Sequence, residues 1–176
     1  VEVNMLEPLI IFVNGHWNRI ANMIGMSPGS GGKEYWKFFT GSLDEYKKSA
    51  DNYFGIKSSV NPYYIDGSSF AGGTESGNER KKRGYDYAKK HYNEIIGGIG
   101  VKKVYLISHS EGGACAAGVA KYLVEKGIKI GESIMLSADE GDEFTVEGNY
   151  PAYQIVAGYL TKDLITKKSI FNIDPV

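Results

Sequence analysis

A chain of 176 residues has the length of one domain, and such a domain buries roughly 70% of the surface its unfolded form exposes, so residues 1–176 are expected to build a single core without staples. Hydrophobic residues at 42% exclude a disordered chain, and 20 basic against 21 acidic side chains leave a net charge of −1, with no electrostatic footprint for nucleic acid. The one cysteine, Cys115, excludes an internal disulfide framework and a cysteine-based zinc site.

The 23 glycines exceed an ordinary share of about 7% and predict tight turns and close backbone approaches. No apolar run approaches the ~18 residues that span a bilayer, so no transmembrane segment is expected. The first residues have neither the basic nor the apolar region of a signal peptide. A mature form and a piece of a longer polypeptide both fit these ends, and so do a cytoplasmic location and secretion within a larger effector.

In chain order, the β-branched run at 9–13 predicts a buried strand that turns at Asn14-Gly15. Residues 28–32 are a glycine-rich loop, followed by a short aromatic helix near 35–39. A second strand is expected at 61–67, with Pro62 at its start, where a missing N–H does least harm. After a polar loop, Tyr85, Ala88, Tyr92 and Ile95 recur every three or four residues, which predicts one amphipathic helix over 79–96 closed by Gly97-Gly98. A third strand at 101–107 leads into a helix at 111–126, whose small face (Ala114, Ala117, Gly118) allows close packing. Further strands are expected at 130–136 and 153–157, with a sixth at 169–173. Strands alternating with helices predict βαβ units and an α/β fold, a three-layer α/β/α sandwich around a mostly parallel sheet.

Open α/β sheets place function at the carboxyl ends of their strands. Ser108-His109-Ser110-Glu111-Gly112-Gly113 stands there, between the third strand and its helix. A serine nucleophile needs a tight strand–turn–helix reversal that lifts its hydroxyl out of the sheet, and only small residues fit two positions before and after it. Ser108 and Gly112 fill those positions. The helix that follows offers free N–H groups to a developing oxyanion. The plainer alternative is an ordinary βα turn with Ser110 as an N-cap.

This segment, continued by Ala114, resembles the G-H-S-x-G-G-A nucleophile elbow of lipases and esterases of the α/β-hydrolase fold, with Ser108 in place of the first glycine. Serine-first variants are similar to those of some bacterial effector and toxin lipase-like domains. The resemblance implies a compact α/β-hydrolase core and a serine hydrolase that cleaves a small-molecule or lipid ester without a cofactor or metal. Ser110 is then the nucleophile. The oxyanion hole is expected from the amide of Glu111 and from the loop Asn14-Gly15-His16-Trp17, through the amide of His16 or Trp17. The acid is expected after a late strand: Asp163 first, then Asp139, then Asp174. Each of these is otherwise a solvated loop carboxylate.

A Ser-His-Asp triad also needs an imidazole base, which in this fold follows the acid. The only histidines are His16, His91 and His109, and all precede Asp163. His109 reads as packed beneath the turn, and His91 as a surface or boundary residue. Three explanations stand. The base lies beyond Val176 in a longer product, His16 serves in a rearranged site, or the domain is an inactive hydrolase-like module that binds a lipid or protein partner.

Other signals are weaker. Gly29-Ser30-Gly31-Gly32-Lys33 fails the phosphate-loop spacing because Glu34 follows the lysine. The basic run at 79–83 reads as a solvated face, with an anionic membrane surface as a minor alternative. Four carboxylates within 139–143 read as a solvated loop rather than a calcium loop. Tyr35, Trp36, Phe38 and Phe39 read as core or as the wall of an acyl pocket.

Overall fold

Leu9, Ile10, Ile11, Phe12 and Val13 are all buried, alternating between two faces, as a strand covered on both sides requires. They form the centre of β1 (Glu7–Asn14). The computed structural model describes residues 7–17, 22–68, 75–97, 100–138, 142–156, 158–162 and 169–173. Five strands, all parallel, lie in the order β2-β1-β3-β4-β5, with β2 at Tyr63–Asp66, β3 at Val101–His109, β4 at Ile130–Leu136 and β5 at Ala152–Ile155. The architecture is α/β. From β1 the chain goes to one neighbouring position in the sheet and then crosses to the other, so the topological switch point lies at the carboxyl ends of β1 and β3. The register brings four strand ends to one edge: Asn14 opposite Asp66, Val13 opposite Ser108, and His109 opposite Leu136.

Two hydrophobic clusters follow from the strand alternation. Leu9, Ile11 and Val13 join Ile65, Val104 and Leu106 under the helices α3 (Gly77–Lys90), α4 (Tyr92–Ile96) and α5 (Gly112–Glu125). Ile10, Phe12 and Ile107 join Tyr35, Trp36 and Ala50 from α1 (Lys33–Thr40) and α2 (Leu43–Phe54). Each such side chain contributes about 1.5–3 kcal/mol by leaving water. The small face of α5 does what its composition predicts. A Cβ at Gly118 would strike the Lys81 carbonyl, and one at Gly84 would strike the Cys115 carbonyl, so α3 and α5 touch backbone to backbone.

Four elements differ from expectation. Helix α2 had no counterpart in the sequence reading, because only Ala50 of its twelve residues is buried and its polar surface hides the stripe. Its start is nevertheless encoded, since the Ser42 hydroxyl accepts the Glu45 N–H and Gly55 ends it in the left-handed conformation. The single helix expected over 79–96 is two, broken at His91, whose ring stacks on Tyr87 and bonds Glu94. The segment Ser169–Ile173 (β7) does not extend the main sheet. It pairs antiparallel with β6 (Gly158–Lys162), which the sequence reading did not anticipate. Lastly, the basic run is not a solvated face: Arg80 and Lys81 are buried, and only Lys82 stands well out in solvent. No described helix is long and apolar enough to cross a membrane.

Candidate functional site at the carboxyl ends of β1, β2 and β3

Strand β3 ends at His109 and helix α5 begins at Gly112, so the reversal is made by Ser110 and Glu111 alone. Ser110 has a φ of 54°, one of two positive values at non-glycine residues among those described. A side chain in this region costs about 1–2 kcal/mol and persists only where its surroundings enforce it. The enforcing groups are identifiable. The Ser110 N–H donates to the Leu136 carbonyl at 3.0 Å, and the Gly113 N–H donates to the Ser110 carbonyl at 3.0 Å. A Cβ on Gly112 would lie 2.6 Å from the Val13 carbonyl oxygen, so only glycine lets the turn pass so close beneath β1. Ser108 is fully buried, with its hydroxyl donating to the Ile134 carbonyl at 3.3 Å. Glu111, not Ser110, stands at the N-cap of α5, and its side chain makes no capping bond.

The loop after β1 rests on this turn. A Cβ on Gly15 would be 2.7 Å from the His109 carbonyl oxygen and 2.8 Å from the Ser110 Cβ. Glycine at 15 therefore brings the loop backbone against the serine. The amides of His16 and Glu111 donate to no other group among the described residues. The buried Nδ1 of His16 also has no hydrogen-bond partner among the described residues.

Asn14 and Asp66 hold the loop from the side of β2. The buried Asn14 amide donates to the Asp66 carboxylate at 2.8 Å and to the Gly15 carbonyl at 2.8 Å, while its oxygen accepts the Gly32 N–H at 2.6 Å. Asp66 also accepts the Trp17 indole N–H at 3.3 Å and both the N–H and hydroxyl of Ser68. The glycine-rich loop at 28–32 is explained here. A Cβ on Gly31 would collide with the Asp66 carboxylate, so the loop packs on the β2 end.

From the side of α1, the Tyr35 hydroxyl hydrogen-bonds His109 Nδ1. Burial holds the His109 imidazole below its ordinary pKa and pushes the Tyr35 hydroxyl well above its own, with the Gly15 backbone amide opposing the latter and Glu111 adding to it. The bond ties the His109 ring at Nδ1 to α1, where it packs against the Tyr35 ring. His91 is excluded by topology. It ends α3, which runs back from the carboxyl end of β2 to the start of β3, so it lies at the opposite edge of the sheet.

Beneath the turn, Glu111 forms a salt bridge with Arg80, whose side chain is wholly buried, and Arg83 donates to the carbonyls of Gly67 and Ser68. The basic run thus ties α3 to the Ser110 turn and to the β2 loop. Two of its cations fall on the inner face at the spacing of one helical turn, a pattern visible in the sequence beside Gly84. Of the aromatic group, Tyr35 and Trp36 are core, whereas Phe38 and Phe39 are exposed and the Phe39 ring lies 5.4 Å from His109. An apolar groove of about 190 Å³ runs from Leu136 and Ile107 beside the turn, along Ile134 and Ile155, under Tyr46 and Ala50 of α2.

The structure thus gathers Ser110, Glu111, His16, Asn14 and Asp66 at one edge. The sequence reading missed Asp66, although an aspartate ending a parallel strand beside Gly67 was a readable signal. The expected acids Asp163, Asp139 and Asp174 lie outside the described residues. Among the described residues no group of three or more His, Cys, Asp or Glu side chains is placed to hold a metal ion. Compared with known proteins, the chain matches no protein-family model and no curated protein sequence.

Proposed function

We propose that the chain carries the core of a serine ester hydrolase, with Ser110 as nucleophile in a compact, three-layer hydrolase-type fold. The observation that carries this reading is the strained Ser110 turn, held at φ 54° between the backbones of Gly15 and Gly112. A plain βα turn has no reason to store that strain, whereas a nucleophile elbow needs it to lift the hydroxyl. Two hydrophobic clusters around a parallel sheet, with the turn following the central strand, support the fold assignment. In the reaction Ser110 attacks the acyl carbonyl, and the amides of Glu111 and His16 receive the charge that develops on its oxygen. Asp163 remains the first choice of acid. The apolar groove supports an ester with a hydrocarbon acyl group.

A second reading rests on a specific observation. Among the described residues no histidine hydrogen-bonds the Ser110 hydroxyl. A hydrolase-like module that binds a lipid or protein partner without turnover has no need of that bond. Fluorophosphonate labelling separates the two, read by intact mass and peptide mapping on this chain and on the full gene product. A single adduct on Ser110, lost in Ser110→Ala, is the expected result. Labelling of the 176-residue chain itself would point to His16 as the base. Labelling of the longer product alone would place the base elsewhere, and absence of labelling in both would favour the binding module.

A further inference from the structure

We infer that Asn14 and Asp66 are positioning residues that set the direction of the His16 amide; the inference rests on the proposal that this amide is an oxyanion donor. A peptide unit is planar and trans, so a carbonyl and the N–H that follows it point in opposite directions. Fixing the Gly15 carbonyl therefore fixes the His16 N–H. The Asn14 side chain does so by donating to that carbonyl at 2.8 Å. Its own orientation is not free to flip. Both amide hydrogens are committed, one to Gly15 and one to the Asp66 carboxylate, and its oxygen accepts the Gly32 N–H. Reversing the group would set its oxygen against the Asp66 carboxylate and the Gly15 carbonyl and its nitrogen against the Gly32 N–H.

Asp66 holds the second end of the chain. It takes the Asn14 amide on one oxygen and the Trp17 indole on the other, so a single carboxylate spans the loop from its first residue to its fourth. A bond from a neutral amide to a carboxylate is stronger than one between neutral groups, which makes this the firmest of the Asn14 contacts. The Gly15 Cα meanwhile rests against Ser110, so the directed N–H belongs to the peptide adjoining that contact. Misplacing a catalytic donor by about 1 Å costs up to a hundredfold in rate, which a small rotation of this peptide would produce.

Inactivation by a fluorophosphonate separates binding (KI) from the chemical step (kinact), and Asp66→Ala is compared with Asp66→Asn in the full gene product. Asp66→Ala is expected to lower kinact by about 10-fold to 100-fold with KI within about twofold. Asp66→Asn keeps an oxygen for the Asn14 amide and should restore most of the rate. The second measurement needs no activity. With [15N]histidine the chain shows three amide resonances, from His16, His91 and His109. Asp66→Ala should move that of His16 and leave His91, at the other edge of the sheet, in place, while Asp66→Asn returns His16 toward its original position. Asp66→Ala labelling at the wild-type kinact overturns the inference, and so does an unmoved His16 resonance. If no protein labels, the hydrolase proposal falls, and the His16 resonance alone decides whether Asp66 orients this peptide.

Discussion

Ser110 is the residue at which the backbone strain and the proposed nucleophile coincide. Its positive φ places a Cβ where glycine alone is at ease, so Ser110→Gly removes about 1–2 kcal/mol of strain while adding roughly 0.5–1 kcal/mol of unfolded-chain entropy. Ser110→Gly is therefore expected to lose labelling and to gain up to about 1 kcal/mol in urea unfolding, whereas Ser110→Ala keeps the strain and leaves stability within a few tenths. Gly15 behaves in the opposite sense. A methyl group there meets the His109 carbonyl and the Ser110 Cβ, so Gly15→Ala should cost about 1–3 kcal/mol and abolish labelling together. His109 adds a pH dependence. Burial lowers its folded-state pKa below the unfolded value near 6.5, so the unfolded chain binds the extra proton more readily. The contribution of this site is thus intact above about pH 6.5 and declines as the pH falls below it. Urea midpoints measured from pH 7.5 to 5 should fall less in His109→Gln than in the wild type.

At the scale of elements, the contact between α3 and α5 matters most for the site, because α5 follows the Ser110 turn and α3 carries Arg80, which pairs with Glu111. Gly118 lies against the Lys81 carbonyl, where no side chain fits. Helix propensity alone would make Gly118→Ala stabilising by about 1 kcal/mol. The backbone collision should reverse that sign, giving a net loss of about 1–3 kcal/mol by thermal or urea unfolding. A stabilised Gly118→Ala protein would show that the two helices do not approach so closely. A second tie closes the outer side of the pair. Glu147 accepts Lys121 and Lys81 together, and these two cations hold its carboxyl down to about 2.

Across the whole molecule, burial is deepest where β1 and β3 lie side by side. Ile11, Val13, Val104 and Leu106 are fully enclosed, and each strand has a parallel neighbour on both sides. The edge strand β5 pairs only with β4 in the main sheet, and the residues Tyr153 and Ile155 along it are exposed. Strands β6 and β7 form a separate two-stranded sheet, a unit that is marginal in water when it stands by itself. Native-state hydrogen exchange should therefore rank the amides of β1 and β3 slowest, near the global unfolding limit, with those of β5, β6 and β7 faster. Equal protection of β6–β7 and β3 would mean that the small sheet unfolds only with the main one.

What could be read along the chain is what short-range rules encode. The run from Leu9 to Val13, the turn residues Asn14-Gly15 and the helical repeat through Ala88 and Ile95 placed the strands and most helices, because period and turn chemistry act over a few residues. The Ser110 turn was legible for the same reason, since its small residues, Ser108 and Gly112, lie within two positions of it, although the groups that enforce it come from β1 and β4. The polar helix α2 and the pairing of β7 with β6 were not, because neither shows a contrast against its own neighbours. Beyond Ser110, the Glu111 amide and the loop from Asn14 to Trp17 were also legible in the sequence, but the side-chain pairings around them belonged to the tertiary structure. Asn14 meets Asp66 across 52 residues, Tyr35 meets His109 across 74, and Arg80 meets Glu111 across 31. Such pairs exist only once the parallel register sets three strand ends at one edge, and no local pattern carries that information.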